Sequence, residues 1–412
     1  MRRVGLAFCI VILTGCSRMS ATSPLPATSQ ARTSSSNFQV LHTFEKPHNG
    51  IVPVGALVAR NGVLYGTTNF GGDASKDCYP AKGCGTVYEV SMTGKETVLY
   101  RFAGTANGTR PYAGLVAVNG TFYGTTQTGG KRNEGTVFAI TTSGSEDVIF
   151  AFDGKDGNDP RANLTSVSGV LYGTTYEGGS AGTGTIFTVT TSGAAKVLHS
   201  FTGGGTDGTL PLGTLISVNN VLYGTTSAGG TSNAGTVFKI NPDGTNYGLV
   251  YSFKGGKIDG AFPFAGLTEM NGALYGTTQK GGTHNKGTVF AITASDSESV
   301  LHSFGQGTDG SEPFAGLTVL KGQLYGTTAY GGSTTVGSYP RSAFRKPSSE
   351  GTIYTITPSG SEQVLHSFTG GPGGRVPYSN LTAVGGALYG TTIWGGNAGL
   401  KGGTGTLFEY SP

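Results

Sequence analysis

The string Tyr-Gly-Thr-Thr occurs seven times, beginning at Tyr65, Tyr123, Tyr172, Tyr223, Tyr275, Tyr325 and Tyr389. Each copy is followed by a Gly-Gly pair and then by Gly-Thr-Val-Phe or a close variant, starting at Gly85, Gly135, Gly184, Gly235, Gly287, Gly351 and Gly405. A third element resembling Leu-His-Ser-Phe closes on Phe44, Phe102, Phe152, Phe201, Phe253, Phe304 and Phe368. A fourth runs from a Pro to a Leu, as in Pro263-Phe264-Ala265-Gly266-Leu267. Four short elements recurring with a period near fifty residues restrict the chain to a solenoid or a propeller.

Strand chemistry selects the propeller. Gly235-Thr236-Val237-Phe238-Lys239-Ile240 alternates with the two-residue period of a pleated strand, and Asn241-Pro242-Asp243-Gly244 follows as a tight turn. Val118-Asn119-Gly120 and Met270-Asn271-Gly272 mark a second tight turn before each Tyr-Gly-Thr-Thr. Four antiparallel strands per repeat make one blade, so the expected fold is all-β, a seven-bladed propeller. A blade packed on both faces excludes charge. The chain carries 12% charged residues, where an ordinary globular protein has about 25%. Its aromatic content of 10% also excludes charge-driven disorder. By analogy with kelch-type propellers, Tyr-Gly-Thr-Thr is placed innermost, with its Gly where strands crowd the axis. Gly-Thr-Val-Phe then comes second, Leu-His-Ser-Phe third and the Pro-to-Leu element outermost. The chain starts at the third element and ends at the second. Its termini are therefore expected to share the last blade, completed by the first two strands, with seven self-contained blades the alternative phase that a circular repeat also fits.

The first 15 residues carry Arg2 and Arg3 before an apolar run that is too short to span a bilayer but suits a signal sequence. Leu13-Thr14-Gly15-Cys16 resembles a bacterial lipobox, which implies cleavage before Cys16 and its acylation. An outer-membrane or extracellular-face anchor is expected. Residues 16–37, rich in Ser, Thr and Pro, read as a tether, and residues 38–412 as the folded body. The seven repeats resemble the bacterial GloVer tandem-repeat family of secreted proteins. That resemblance covers nearly all of the mature chain and implies an extracellular repeat protein without an assigned activity.

Three repeats carry insertions after Tyr-Gly-Thr-Thr. The stretch up to the next Gly-Thr is 9 residues in repeats two to five (for example 127–135). It lengthens to 17 in repeat one (69–85), 23 in repeat six (329–351) and 13 in repeat seven (393–405). In a closed ring these three are neighbours on one rim, the face that also bears the other long connections. Long loops on a rigid scaffold commonly carry function. These hold Phe70, Tyr79, Tyr330, Tyr339, Phe344 and Trp394, with Arg341, Arg345 and Lys346 among their cations. Aromatic rings beside cations suit carbohydrate stacking or an acidic ligand. Cover of the ring seam is the structural alternative.

Cys78 and Cys84 lie within the first long loop, and a secretory signal makes a disulfide the expected state. His42, His199, His302 and His366 share one repeat position with Tyr100, Phe150 and Tyr251, so packing rather than metal ligation is expected there. His48 and His284 sit in loops without carboxylates at ligand spacing. Asp156, Asp207, Asp259 and Asp309 each precede Gly and read first as turn residues, with calcium the alternative. Asp153, Asp156 and Asp159 form the densest acidic group. No Ser-nucleophile, phosphate-loop or zinc-protease motif occurs. Neither a cofactor nor a metal is expected, and a net charge of +4 demands no nucleic-acid partner. The resulting expectation is a monomeric, membrane-tethered binding module for a glycan or an extracellular protein. The alternatives are a polysaccharide hydrolase or lyase and a structural envelope component.

Overall fold

A computed structural model describes residues 37–73, 78, 83–104, 106–333, 350–396 and 403–412. The signal segment, Cys16 and nearly all of the tether lie outside them. The described chain forms seven four-stranded antiparallel blades in a closed ring. Blade 1 contains β2 (Val58–Arg60), β3 (Val63–Thr68), β4 (Thr86–Ser91) and β5 (Glu96–Arg101), hydrogen-bonded in that order. The same order repeats through blade 6. Blade 7 pairs Thr382–Val384, Ala387–Trp394 and Thr406–Tyr410, and β1 (Phe38–Thr43) adds its fourth strand.

This order shifts the expected phase by one strand. The innermost strand is the three-residue segment following each Pro-to-Leu element, and these segments meet their counterparts in neighbouring blades. Tyr-Gly-Thr-Thr is second, Gly-Thr-Val-Phe third and Leu-His-Ser-Phe outermost. Closure therefore uses one N-terminal strand, not two. Both phases satisfy a circular repeat, and only the short inner pairings, such as Val58 opposite Tyr65, break the tie.

Each repeated residue has a packing role. The last Thr of Tyr-Gly-Thr-Thr shares a buried hydroxyl hydrogen bond with the Thr of the next strand, as in Thr68 to Thr86 at 2.8 Å and Thr226 to Thr236 at 2.7 Å. The Gly of the motif lies beneath the third strand's aromatic ring. A Cβ on Gly124 would stand 2.6 Å from Phe138, so the constraint comes from within the blade and not from the axis. The Phe closing each outermost strand then meets the next blade's third-strand ring edge-on, as in Phe102 to Phe138 at 5.2 Å. The same contact between Phe44 and Tyr88, at 5.0 Å, joins blade 7 to blade 1. Such pairs contribute about 0.5–1.5 kcal/mol beyond area burial. Gly405, with φ of +108°, packs against Pro53 of blade 1, where a Cβ would stand 2.6 Å from the ring. Hydroxyl bonds from Thr382 to the Leu57 carbonyl and from Thr391 to the Pro53 carbonyl complete the seam.

Candidate functional site

Each Pro-to-Leu element delivers its second residue to the axis. The residue before each Pro adopts a left-handed backbone: φ runs from 54° to 61° at Val52, Arg110, Asp159, Leu210, Phe262, Glu312 and Val376. That conformation is costly for a non-glycine residue and persists where surrounding structure enforces it. Two hydrogen bonds enforce it here. The Arg110 amide donates to the Cys84 carbonyl of the preceding blade, and the Arg110 carbonyl accepts from the Gln127 amide. The other blades repeat the arrangement.

The seven residues so presented are Val54, Tyr112, Arg161, Leu212, Phe264, Phe314 and Tyr378. They line a cavity of about 140 Å³ at the mouth of the ring. Phe264 and Phe314 meet edge-on at 5.2 Å, and Phe314 stacks on Tyr378 at 4.9 Å and 21°. The Tyr112 hydroxyl donates to that of Tyr378 at 2.7 Å. Burial raises both phenols, so both stay protonated at neutral pH. Asn163 and Asn380 accept from the Gly114 and Gly316 amides, which fixes their carboxamides and leaves the Nδ2 groups without a partner among the described residues. Arg161 is the charged side chain of the lining. Asp159 holds it through Nε at 2.9 Å, and its guanidinium lies 4.0 Å from the Tyr176 ring. The mouth is thus aromatic and amide-rich, with its one cation already paired.

The rim residues expected from the insertions begin at the same end of the ring. Phe70, Tyr330 and Trp394 occupy equivalent positions on blades 1, 6 and 7, opposite Ile51, Ser311 and Arg375. These blades are consecutive, so the expected juxtaposition holds for the described stems. Trp394 is 38% exposed, and the Arg110 guanidinium lies 5.6 Å from the Phe70 ring. Tyr79, Tyr339, Phe344, Arg341, Arg345 and Lys346 lie outside the described residues.

Sequence comparison matches the Gloeobacter/Verrucomicrobia repeat over residues 27–181 and 142–340, which together span well over half of the chain. The chain belongs to that family. No curated protein matches it. Among solved structures, a candidate 6-phosphogluconolactonase from Bacteroides fragilis is similar, with a TM-score of 0.48 and 18% identity over 77% of this chain and 89% of that one. An oligogalacturonate lyase in complex with manganese gives 0.47 and 12% over 91% and 96%. A nidogen/laminin complex gives 0.43 and 14% over 72% and 94%. These likenesses are to the fold alone.

Two groups of this family member depart from the sequence reading. The repeat-position histidines do pack edge-on against aromatic rings, as His302 does on Phe304 at 4.8 Å, but His199 and His302 also meet Asp207 and Asp309 at 3.3 and 3.0 Å. His48, read as having no Cys or carboxylate at ligand spacing along the chain, pairs with the sequence-distant Asp73 at 3.0 Å. The Asp-Gly residues act as turn acceptors: Asp207 takes amide protons from Thr202 and Gly208. Asp159 is committed to Arg161, so it does not join Asp153 and Asp156. Cys78 and Cys84 form a disulfide.

Sequence reasoning passed over the axial residues because each sits singly in its repeat. The available signal was variation, from Val to Arg to Phe, at one position inside an otherwise constant Pro-x-x-x-Leu element.

Proposed function

We propose that this protein is a lipid-anchored envelope binding module, tethered through Cys16, that takes a neutral saccharide at the axial mouth. The supporting observation is the convergence of Tyr112, Phe264, Phe314 and Tyr378 with the two uncommitted amides of Asn163 and Asn380. Aromatic faces stack on the apolar faces of sugar rings, and amides hydrogen-bond their hydroxyls. Arg161, already neutralised by Asp159, adds a donor without demanding an anion. Phe70, Tyr330 and Trp394 extend the aromatic surface outward across blades 6, 7 and 1, so a chain of sugars can run from mouth to rim. Glycoside cleavage needs two carboxylates about 5–9 Å apart across the sugar. The described lining offers none, which favours binding over bond cleavage. Screening the purified protein on a glycan array, followed by calorimetry on the best saccharide, tests the reading. Wild-type binding that survives Phe314→Ala and Tyr378→Ala unchanged would remove the mouth from consideration.

A further inference from the structure

A second arrangement lies away from the axis, where the outermost strands of successive blades meet. Three repeat positions converge at several of these seams: the His or aromatic residue of one blade's outermost strand, the Asx before Gly, and a residue from the next blade's outermost strand. Between blades 7 and 1 these are His42, Asn49 and Glu96, and the Asn49 amide donates to Glu96 at 3.0 Å. Between blades 1 and 2 the Asn107 amide serves Glu146 in the same way, at 2.8 Å. Between blades 3 and 4, Tyr247 replaces the Glu and donates to Asp207. In these seams a neutral donor faces each carboxylate.

The seam between blades 5 and 6 lacks that donor. Asp309 takes the Asx position and Glu362 the facing one, so two carboxylates oppose each other beside His302. The ligand atoms of His302, Asp309 and Glu362 lie within 4.8 Å of one another, the one such group among the described residues. His302 Nε2 is 3.0 Å from Asp309 Oδ2, and the Asp309 side chain is 8% exposed. The Gly305 and Gly310 amides donate to Asp309 and fix its orientation. Glu362 Oε1 is buried with no hydrogen-bond partner.

We infer that His302, Asp309 and Glu362 form a divalent transition-metal site that clamps blade 5 to blade 6. One imidazole nitrogen with two carboxylates suits Zn²⁺ or Co²⁺ better than Ca²⁺, which prefers an all-oxygen shell. Three protein ligands leave a fourth position for water. An ion would occupy the orphaned Glu362 oxygen and neutralise the facing Asp309. The site lies on the outer seam and is independent of saccharide binding at the mouth.

Chelator-treated full-length protein titrated with Co²⁺ tests this inference. One equivalent should bind with a visible ligand-field band, and Zn²⁺ should displace it and raise the thermal midpoint. His302→Tyr and Glu362→Ala place residues that already stand at equivalent positions, Tyr251 and Ala195, so folding is expected to survive. Each should abolish the band and the Zn²⁺-dependent shift. A double variant of His48 and Asp73, the exposed ion pair, should bind as the wild type does. No band in the wild-type protein, or a band that His302→Tyr leaves intact, would overturn the site. A carboxylate pair that merely shares a proton would give the first of these results.

Discussion

His366 stacks face to face on Phe38, ring centroids 3.8 Å apart and 7° from parallel. Phe38 opens the N-terminal strand and His366 belongs to the outermost strand of blade 6. The contact therefore fastens the first strand of the fold sideways to a blade with which it does not pair. Phe38 also meets Phe368 and Phe408, each at 5.5 Å. Phe38→Ala should lower stability by about 2–3 kcal/mol, below the usual cost for a fully buried Phe because Phe38 is half-buried. Removing residues 38–43 altogether should expose the edge of Thr406–Tyr410 and promote self-association. Thermal melts and size-exclusion chromatography check both outcomes.

Tyr88 and Tyr354 occupy the third-strand position that Phe138, Phe187, Phe238, Phe290 and Phe408 fill elsewhere. Both hydroxyls are buried without a hydrogen-bond partner. An unsatisfied buried hydroxyl costs about 1–3 kcal/mol. Tyr88→Phe and Tyr354→Phe should each stabilise the fold by about 1 kcal/mol, read as a higher denaturant midpoint with an unchanged slope. A loss of stability in either variant would contradict the orphaned hydroxyl.

Glu298 faces Asp259 between blades 4 and 5, with Tyr251 and Lys254 beside it. Burial, and then the Asp259 charge, push it up to about 7 from an unfolded value of 4.5. Between those values the folded protein keeps a proton that the unfolded chain has released. This contribution to stability is full below about pH 4.5 and is lost as pH rises through 7. His366 works oppositely, because burial lowers it from 6.5 to about 4, but its contribution is complete by pH 6.5. The thermal midpoint should therefore fall from pH 6.5 to pH 8, and Glu298→Gln should shrink that fall.

At the mouth, Phe314→Ala or Tyr378→Ala should weaken saccharide binding at least tenfold, roughly 1.4 kcal/mol. Both side chains are half-buried at the channel edge, so the melting temperature should change little beside a core truncation such as Phe138→Ala. Trp394→Ala should affect long saccharides more than short ones. Calorimetry with a length series separates mouth from rim.

Tyr-Gly-Thr-Thr, Gly-Thr-Val-Phe and Leu-His-Ser-Phe announced three of every four strands, because each pairs over four to six residues and repeats its apolar positions. The fourth, such as Val58–Arg60, spans three residues, too few for a two-residue period to register. Its absence from the pattern displaced the expected strand order by one. Blade adjacency followed from circular closure alone, so the neighbourhood of Phe70, Tyr330 and Trp394 was legible. The aromatic mouth was not, because Tyr112, Phe314 and Tyr378 stand far apart in sequence and meet only through the left-handed turns at Arg110, Glu312 and Val376. The seam acids were hidden likewise: Glu362 lies four residues before His366 but serves His302 of the neighbouring blade.

The single clasping strand also sets a load path. Any pull on the segment before residue 37 reaches β1 first, and β1 is held to the last blade by one ladder with Thr406–Tyr410 and by the Phe38 ring against blade 6. Tension there would strip the outer edge of the last blade, while the inner seam, where Thr382 and Thr391 donate to the Leu57 and Pro53 carbonyls, holds the ring closed. The clasping strand is thus an outer fastener laid over a ring that its inner strands already close.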